Sequence, residues 1–294
     1  MKLVSHFYIV AVPQAGLRYA MGISMKKKPL SSSWFDKITI VTAIFVITII
    51  FIAVITIIMK GLPYIGWAFH SREVIFAIRL SLYTASVSTV ICIILAVPTA
   101  YALTKTNMPL KRFSQILLEL PLSLPYLVLG LSLLLIFSSD YGKWLRSIGF
   151  KVVFSKKGII MAHILVNLPF VIRIVKNAFQ EVDVRLELMA RILGATKAQS
   201  FWTVTLPLSK NTVIGVVILA WSRALGEFGA TLMLVGTTRM KTETLPASIY
   251  LNIATGDMGA AMASAVILLF ISAISLLLTN ALDKKPGGSR IKLY

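Results

Sequence analysis

The sequence is short of charge, short of acid and almost devoid of cysteine. Charged residues are 14% of its 294 positions, against roughly a quarter in soluble domains. Its single cysteine, Cys92, excludes an internal disulfide and has no partner at metal-site spacing. No G-x-x-x-x-G-K-[ST] run occurs, so nucleotide binding by a P-loop is not expected in this chain. No carboxylate pair, nucleophile–base set or metal-ligand cluster is visible, so neither catalysis nor a cofactor of its own is expected. The acidic residues number 11 against 30 Lys and Arg, a net charge of +19. In a soluble protein that excess would suggest nucleic acid, yet no basic-plus-aromatic stripe or nucleic-acid module is present. The basic residues are read instead as flanks of membrane spans that meet anionic lipid headgroups.

What is present is apolar length. Hydrophobic residues make up 57% of the chain and mean hydropathy is +0.84. A spanning helix needs ~20 mainly apolar residues, and six stretches meet that length: 38–59, 74–103, 113–137, 159–179, 212–235 and 260–282. A β-barrel would show short alternating strands instead. The third span contains Pro121 and Pro125, and the second has Arg79 near its start and Pro98 near its end. The expected fold is an all-α membrane protein of six transmembrane helices, with a cytoplasmic helix between spans four and five. Its parts are an N-terminal tail 1–37, a six-span domain 38–283 and a C-terminal tail 284–294. Within the first tail, residues 3–12 are apolar but too short to span, and Met21 and Met25 before Lys26–Lys28 offer alternative starts. With both termini inside, inner segments hold 19 Lys and Arg and outer loops hold nine. The positive-inside rule therefore puts both termini in the cytoplasm. The outer loop 138–157 runs against the trend with five basic residues, either as a statistical exception or as a rim that attracts anions or an acidic docking face.

The cytoplasmic loop 181–207 is too apolar for a solvated linker. Asp183 is placed to cap a helix, Glu187 and Arg191 stand at i,i+4, and Gly194 supplies a stop. That helix of ten residues, from Val184 to Leu193, rises only ~15 Å and cannot cross a bilayer. Its apolar positions Val184, Leu186, Leu188, Met189, Ile192 and Leu193 want either the bilayer surface or a partner's groove. The run Glu187 … Ala190-Arg191-Ile192-Leu193-Gly194-Ala195, with Leu206-Pro207 twelve residues after Gly194, resembles the "EAA" coupling motif of bacterial and archaeal ABC importer permeases. Leu188 and Met189 depart from it, since many members carry a polar and a small residue there. The resemblance implies that this loop inserts into a cleft on a separate ATPase.

The run 221–231, Trp-Ser-Arg-Ala-Leu-Gly-Glu-Phe-Gly-Ala-Thr, lies in the fifth span. Arg223 and Glu227 are costly there and should face the bundle interior or a wet path. Their i,i+4 spacing allows a structural ion pair or a pathway role. Glu119 is expected to pair with Lys111 or Arg112, and His163 to bond between helices. The segment 221–236, with Leu245-Pro246, Ile249-Tyr250 and Gly256-Asp257, resembles molybdate and tungstate permeases, and sulfate permeases share its Arg-Ala-x-Gly-Glu-Phe-Gly-Ala pattern. The resemblance covers residues 70–285 approximately. It implies an oxyanion importer in a prokaryotic plasma membrane that works by alternating access. The implied partners are a second copy in a homodimer, two cytoplasmic ATPase subunits that bind ATP and Mg, and an extracytoplasmic oxyanion-binding protein. Phe228 and Thr231 join Arg223 and Glu227 as pathway candidates. A sulfate/thiosulfate permease and, more distantly, an ion-coupled secondary transporter are the alternatives.

Overall fold

The computed structural model describes residues 34–283. The stretch 3–12, the starts Met21 and Met25, and the tail 284–294 lie outside the described residues. The chain divides into two compact units, Met1–Val54 and Ile55–Tyr294. Helix α1 (Trp34–Gly61) begins in the first and ends in the second, with Asp36 in its first turn and Lys60 in its last. Each charge sits at the end of the helix dipole that favours it.

In the second unit, Pro63 opens a 3-10 turn (Leu62–Tyr64) that stops α1, because proline cannot donate to a continuing helix. After the short α2 (Ile65–Ala68) comes α3 (Arg72–Lys105), capped by the Ser71 side chain. At ~1.5 Å per residue α3 spans a bilayer with turns to spare, and Pro98 sits inside it without ending it. The chain continues through α4 (Lys111–Glu119), a 3-10 turn (Leu120–Ser123) and α5 (Tyr126–Ser138). Then follow α6 (Asp140–Ser147), α7 (Lys156–Glu181), α8 (Val184–Ile192), α9 (Lys197–Ser200) and α10 (Leu206–Leu225). The last elements are α11 (Gly229–Val235), α12 (Leu245–Ala254) and α13 (Met258–Asp283). Among the described residues all regular structure is helical.

Five helical stretches are long and apolar enough to span, and the pair around Pro121 and Pro125 makes a sixth, bent by 112°. The six-span expectation thus holds, with the third span broken where its prolines free the backbone. Two features differ from expectation. The fifth span is not one helix to residue 235: α10 stops at Leu225 and α11 starts at Gly229. A separate helix, α12, lies before the last span, with Pro246 in its first turn, where proline is tolerated.

The core is assembled from small residues on α3. Ala85, Ser88, Cys92, Ala96 and Ala100 recur at spacings of three or four and are all buried. They let α3 and α7 approach closely, which is how membrane helices gain packing energy without a hydrophobic drive from water. One cluster joins α3, α5, α7 and α11 through Leu80, Leu133, Ile159, Val166 and Leu234. A second joins α3, α7 and α10 through Leu103, Val171, Phe179 and Val216. A third ties α12 and α13 to the start of α3 through Val74, Leu245 and Ala263. At the α5–α11 crossing, a Cβ on Gly130 would lie 2.5 Å from the Ala230 carbonyl oxygen. Only glycine fits that approach.

Candidate functional site

Two regions gather the residues singled out by sequence: the loop between α7 and α10, and the breaks in the third and fifth spans.

The loop is built by local capping. Asp183 Oδ1 accepts from the Arg185 N–H at 2.9 Å and starts α8. Leu193 ends the helix, and Gly194 follows at φ +93°, the left-handed region that favours glycine. The N–H groups of Gly194 and Ala195 close back on the Arg191 and Ala190 carbonyls, each at 3.0 Å. Thr196 and Gln199 then form a reciprocal capping box for α9. A π-helical turn (Phe201–Thr205) leads into α10 at Leu206-Pro207.

Glu187 fastens this loop to the bundle rather than to its own helix. Its Oε1 lies 2.9 Å from Lys105 Nζ, at the end of α3, and accepts from Thr205 Oγ1 at 2.7 Å. The expected pairing of Glu187 with Arg191 is not among the ion pairs of the described residues, because a better-buried lysine takes the carboxylate. Phe201 packs edge-on against Phe179 and Tyr101, at centroid distances of 5.8 and 5.1 Å. The opposite side of α8 is uncovered. Ile192 and Leu193 are 83% and 86% exposed, and Val184, Leu188 and Met189 are exposed with them. Leu188, Arg191, Ile192, Ala195, Thr196 and Lys197 rim a shallow depression there.

The second region links the two broken spans. Arg223, in the last turn of α10, donates from its Nη2 to the Tyr126 hydroxyl at 2.7 Å and from its Nε to Asn167 Oδ1 at 3.3 Å. Its guanidinium lies 4.5 Å from the Phe170 ring centroid. Tyr126 is the first residue of α5, just past the bend. Glu227 falls in the gap between α10 and α11, so it does not share a helical face with Arg223 as the spacing suggested. Its carboxylate is buried and accepts from the Ala230 N–H at 2.7 Å. Among the described residues no ion pair joins Arg223 to Glu227 or to any other carboxylate. The structural ion pair considered for these two residues is therefore not formed. Phe228 stacks at a tilt on Tyr250, at 5.4 Å, and Thr231 is buried with its hydroxyl unpartnered.

Three other polar residues are corrected or refined. Glu119 meets Lys176 of α7 at 3.4 Å, not Lys111 or Arg112, because α4 carries those two residues at its far end. His163 is buried between helices with its Nδ1 3.5 Å from the Ser88 hydroxyl, the bonding role expected of it. At the end of the bundle away from α8, sequence reasoning missed a network in which Arg239 pairs with Glu73 and donates to Asn252 at 3.0 Å and Thr255 at 3.3 Å. Its members come from α3, the 236–244 segment and α12, so no local spacing announces it. Tyr126 and Phe170 were missed as partners of Arg223 for the same reason. Among the described residues no group of three or more His, Cys, Asp or Glu is arranged to hold a metal ion.

Comparison with known proteins puts these features in a family context. Residues 88–287 match the family described as "Binding-protein-dependent transport system inner membrane component". Over 215 residues the chain is 37% identical to the molybdenum transport system permease protein ModB of Mycobacterium tuberculosis, covering 72% of this chain and 80% of that one. It is 30% identical over 253 residues to the sulfate transport system permease protein CysT of Escherichia coli, covering 84% and 91%. A crystal structure of a bacterial alginate ABC transporter in complex with an alginate-pentasaccharide-bound periplasmic protein matches with a TM-score of 0.66. It covers 88% of this chain and 100% of that one at 18% identity, a likeness of fold.

Proposed function

The chain belongs to the family of binding-protein-dependent transport system inner membrane components, and we propose that it is the permease subunit of an ATP-driven importer for a tetrahedral oxyanion, molybdate or tungstate. The observation that carries the proposal is the combination of an exposed apolar α8 with an Arg223 in the fifth span that is held by neutral side chains and pairs directly with no carboxylate among the described residues. It is a transport subunit, and ATP hydrolysis is assigned to a separate partner that binds ATP and Mg.

Relatives named for molybdenum and sulfate transport support the substrate class. Molybdate, tungstate and sulfate are all tetrahedral dianions, so one kind of cationic path suits the three. The higher identity to the molybdenum permease supports that branch.

The parts take these roles. Residues 38–283 form the permease domain, with the tails 1–37 and 284–294 on the cytoplasmic side by charge balance. Glu187 anchors the coupling loop 181–207, while Ala190, Arg191, Leu193, Gly194 and Ala195 form its docking surface and Leu206-Pro207 its return into the membrane. An apolar helix of nine residues fits a protein groove through anchors at helical spacing. Half-buried Arg223 and Phe228 are available to a pathway, whereas buried Glu227 and Thr231 support it from behind. A homodimer supplies both walls of that pathway, two ATPases drive it, and an extracytoplasmic binding protein delivers the anion. ATP binding would bring the two coupling loops together and open the path outward, and hydrolysis would reverse it.

The test is uptake into proteoliposomes holding the permease, its ATPase and its binding protein. The reading expects ATP-dependent molybdate or tungstate accumulation that a tenfold excess of sulfate does not suppress (~10-fold being one decade of affinity, about 1.4 kcal/mol). Sulfate competing at equal concentration would move the assignment to the sulfate branch.

A further inference from the structure

Resting on that reading, we propose that the Arg223 guanidinium, held by Tyr126 and Asn167, is a transit-binding site for the tetrahedral oxyanion within the membrane.

An arginine at bilayer depth is expensive unless it meets a counter-charge or water. The described ion pairs leave Arg223 without a carboxylate, and its oriented partners are neutral: a phenol, an amide oxygen and an aromatic face. Glu227, the nearest acidic residue in sequence, spends its carboxylate on the Ala230 N–H. These contacts use one Nη and the Nε, leaving other guanidinium N–H groups for a further acceptor. Arginine carries five such donors in a planar fork suited to oxyanions.

The backbone gives a second, independent indication. Irregular backbone at membrane depth is tolerated only where protein buries it or water lines it. Two such breaks meet here. A Cβ on Gly229 would lie 3.3 Å from Tyr126 Cβ and 3.4 Å from the Leu127 nitrogen. Gly226, in the fifth-span break, is exposed, and a Cβ there would touch only the Arg223 and Ser222 carbonyl oxygens, each at 3.9 Å. Arg223 is tied across both breaks, since Tyr126 opens α5 beyond the 112° bend. An exposed break beside a cation with no directly paired carboxylate among the described residues describes the wall of a wet path for anions. Neutral hydrogen-bond partners hold the guanidinium in place, and the Glu227 carboxylate acts on it only from beyond ion-pair distance, so an anion is attracted yet can leave.

The experiment compares wild type, Arg223→Gln and Arg223→Cys in the assembled transporter in proteoliposomes, with radiolabelled molybdate and, separately, sulfate. Arg223→Gln should cut uptake by ~10- to 100-fold, the loss expected when a charged hydrogen-bond partner goes, while the ATPase still co-purifies in full. Arg223→Cys should be equally slow. It should recover after reaction with an aminoethyl methanethiosulfonate, which restores a cation, and not after the neutral methyl reagent. Cys92 is fully buried and is the internal control for reaction. Wild-type uptake in Arg223→Gln would overturn the transit site and leave the permease reading standing. Recovery by the neutral reagent, or by neither, would assign Arg223 to packing and overturn it as well. A wild type that moves sulfate but not molybdate would defeat the substrate branch, and a Gln defect measured with sulfate would still uphold the site.

Discussion

The loop between α7 and α10 and the paired breaks are unfinished in opposite ways. At the loop, the carboxylate that fastens it to the bundle is answered: Glu187 has Lys105 and Thr205. What is left over is apolar surface, with Ile192 and Leu193 more than four-fifths exposed. At the breaks, what is left over is charge, the guanidinium of Arg223, which has neutral hydrogen-bond partners and no ion pair among the described residues. Each remainder specifies what completes it. An apolar helical face outside the bilayer calls for a protein groove, and a cation inside it calls for an anion.

The sharpest way to break this contrast is to put charge where the apolar remainder lies. Replacing both Ile192 and Leu193 by Asp removes almost no contact within the chain, so insertion and folding should be unchanged. Docking should fall by ~100-fold or more, since two anchors worth ~1.5–3 kcal/mol each become groups that resist burial. The check is the amount of ATPase retained per permease on affinity purification.

A step smaller is the anchor itself. Glu187→Gln leaves Lys105, whose side chain is 10% exposed, without its carboxylate. Removing one member of a buried pair costs up to ~3–5 kcal/mol, and the partial exposure here reduces that. ATP hydrolysis should persist while uptake per ATP falls several-fold, because the loop no longer moves with α3. Exchanging the pair, Lys105→Glu with Glu187→Lys, should restore part of the yield. Equal uptake per ATP in Glu187→Gln and wild type would remove the anchor from the account.

Gly130→Ala tests the packed side of the comparison. The added methyl meets the Ala230 carbonyl, and overpacking of this kind costs ~1–3 kcal/mol. The melting temperature in detergent should drop by a few degrees, and an unchanged value would mean that α5 and α11 have room to part. The smallest expected effect is Tyr126→Phe, which removes one hydrogen bond from Arg223. Uptake should fall a few-fold, consistent with ~0.5–1.5 kcal/mol, with no change in ATPase retention. A loss as large as that of Arg223→Gln would mean that Tyr126 itself contacts the anion.

The same contrast explains what the sequence could disclose. The loop was legible because its determinants are local: Asp183 as cap, Gly194 at positive φ, and Leu-Pro at the return. The bend in the third span was legible because proline announces it. The break in the fifth span was not, since Gly226 and Gly229 permit either a close helix contact or a gap, and only packing against Tyr126 selects the gap. That is why Arg223 and Glu227 looked like partners at i,i+4 and proved to have separate ones. Long-range choices were hidden throughout. Glu119 found Lys176 on α7, Glu187 found Lys105 on α3, and Arg239 found Glu73 and Asn252. Periodicity locates helices, but it carries no information on which helices become neighbours.

On the proposed reading this chain moves an oxyanion only through a partner docked on α8. The most direct test of that reading is oxyanion uptake into proteoliposomes containing the permease and binding protein, with and without the ATPase. Accumulation should require both ATP and the ATPase, and should disappear when Ile192 and Leu193 are replaced by Asp. Uptake by the permease alone, driven by an ion gradient, would contradict that reading.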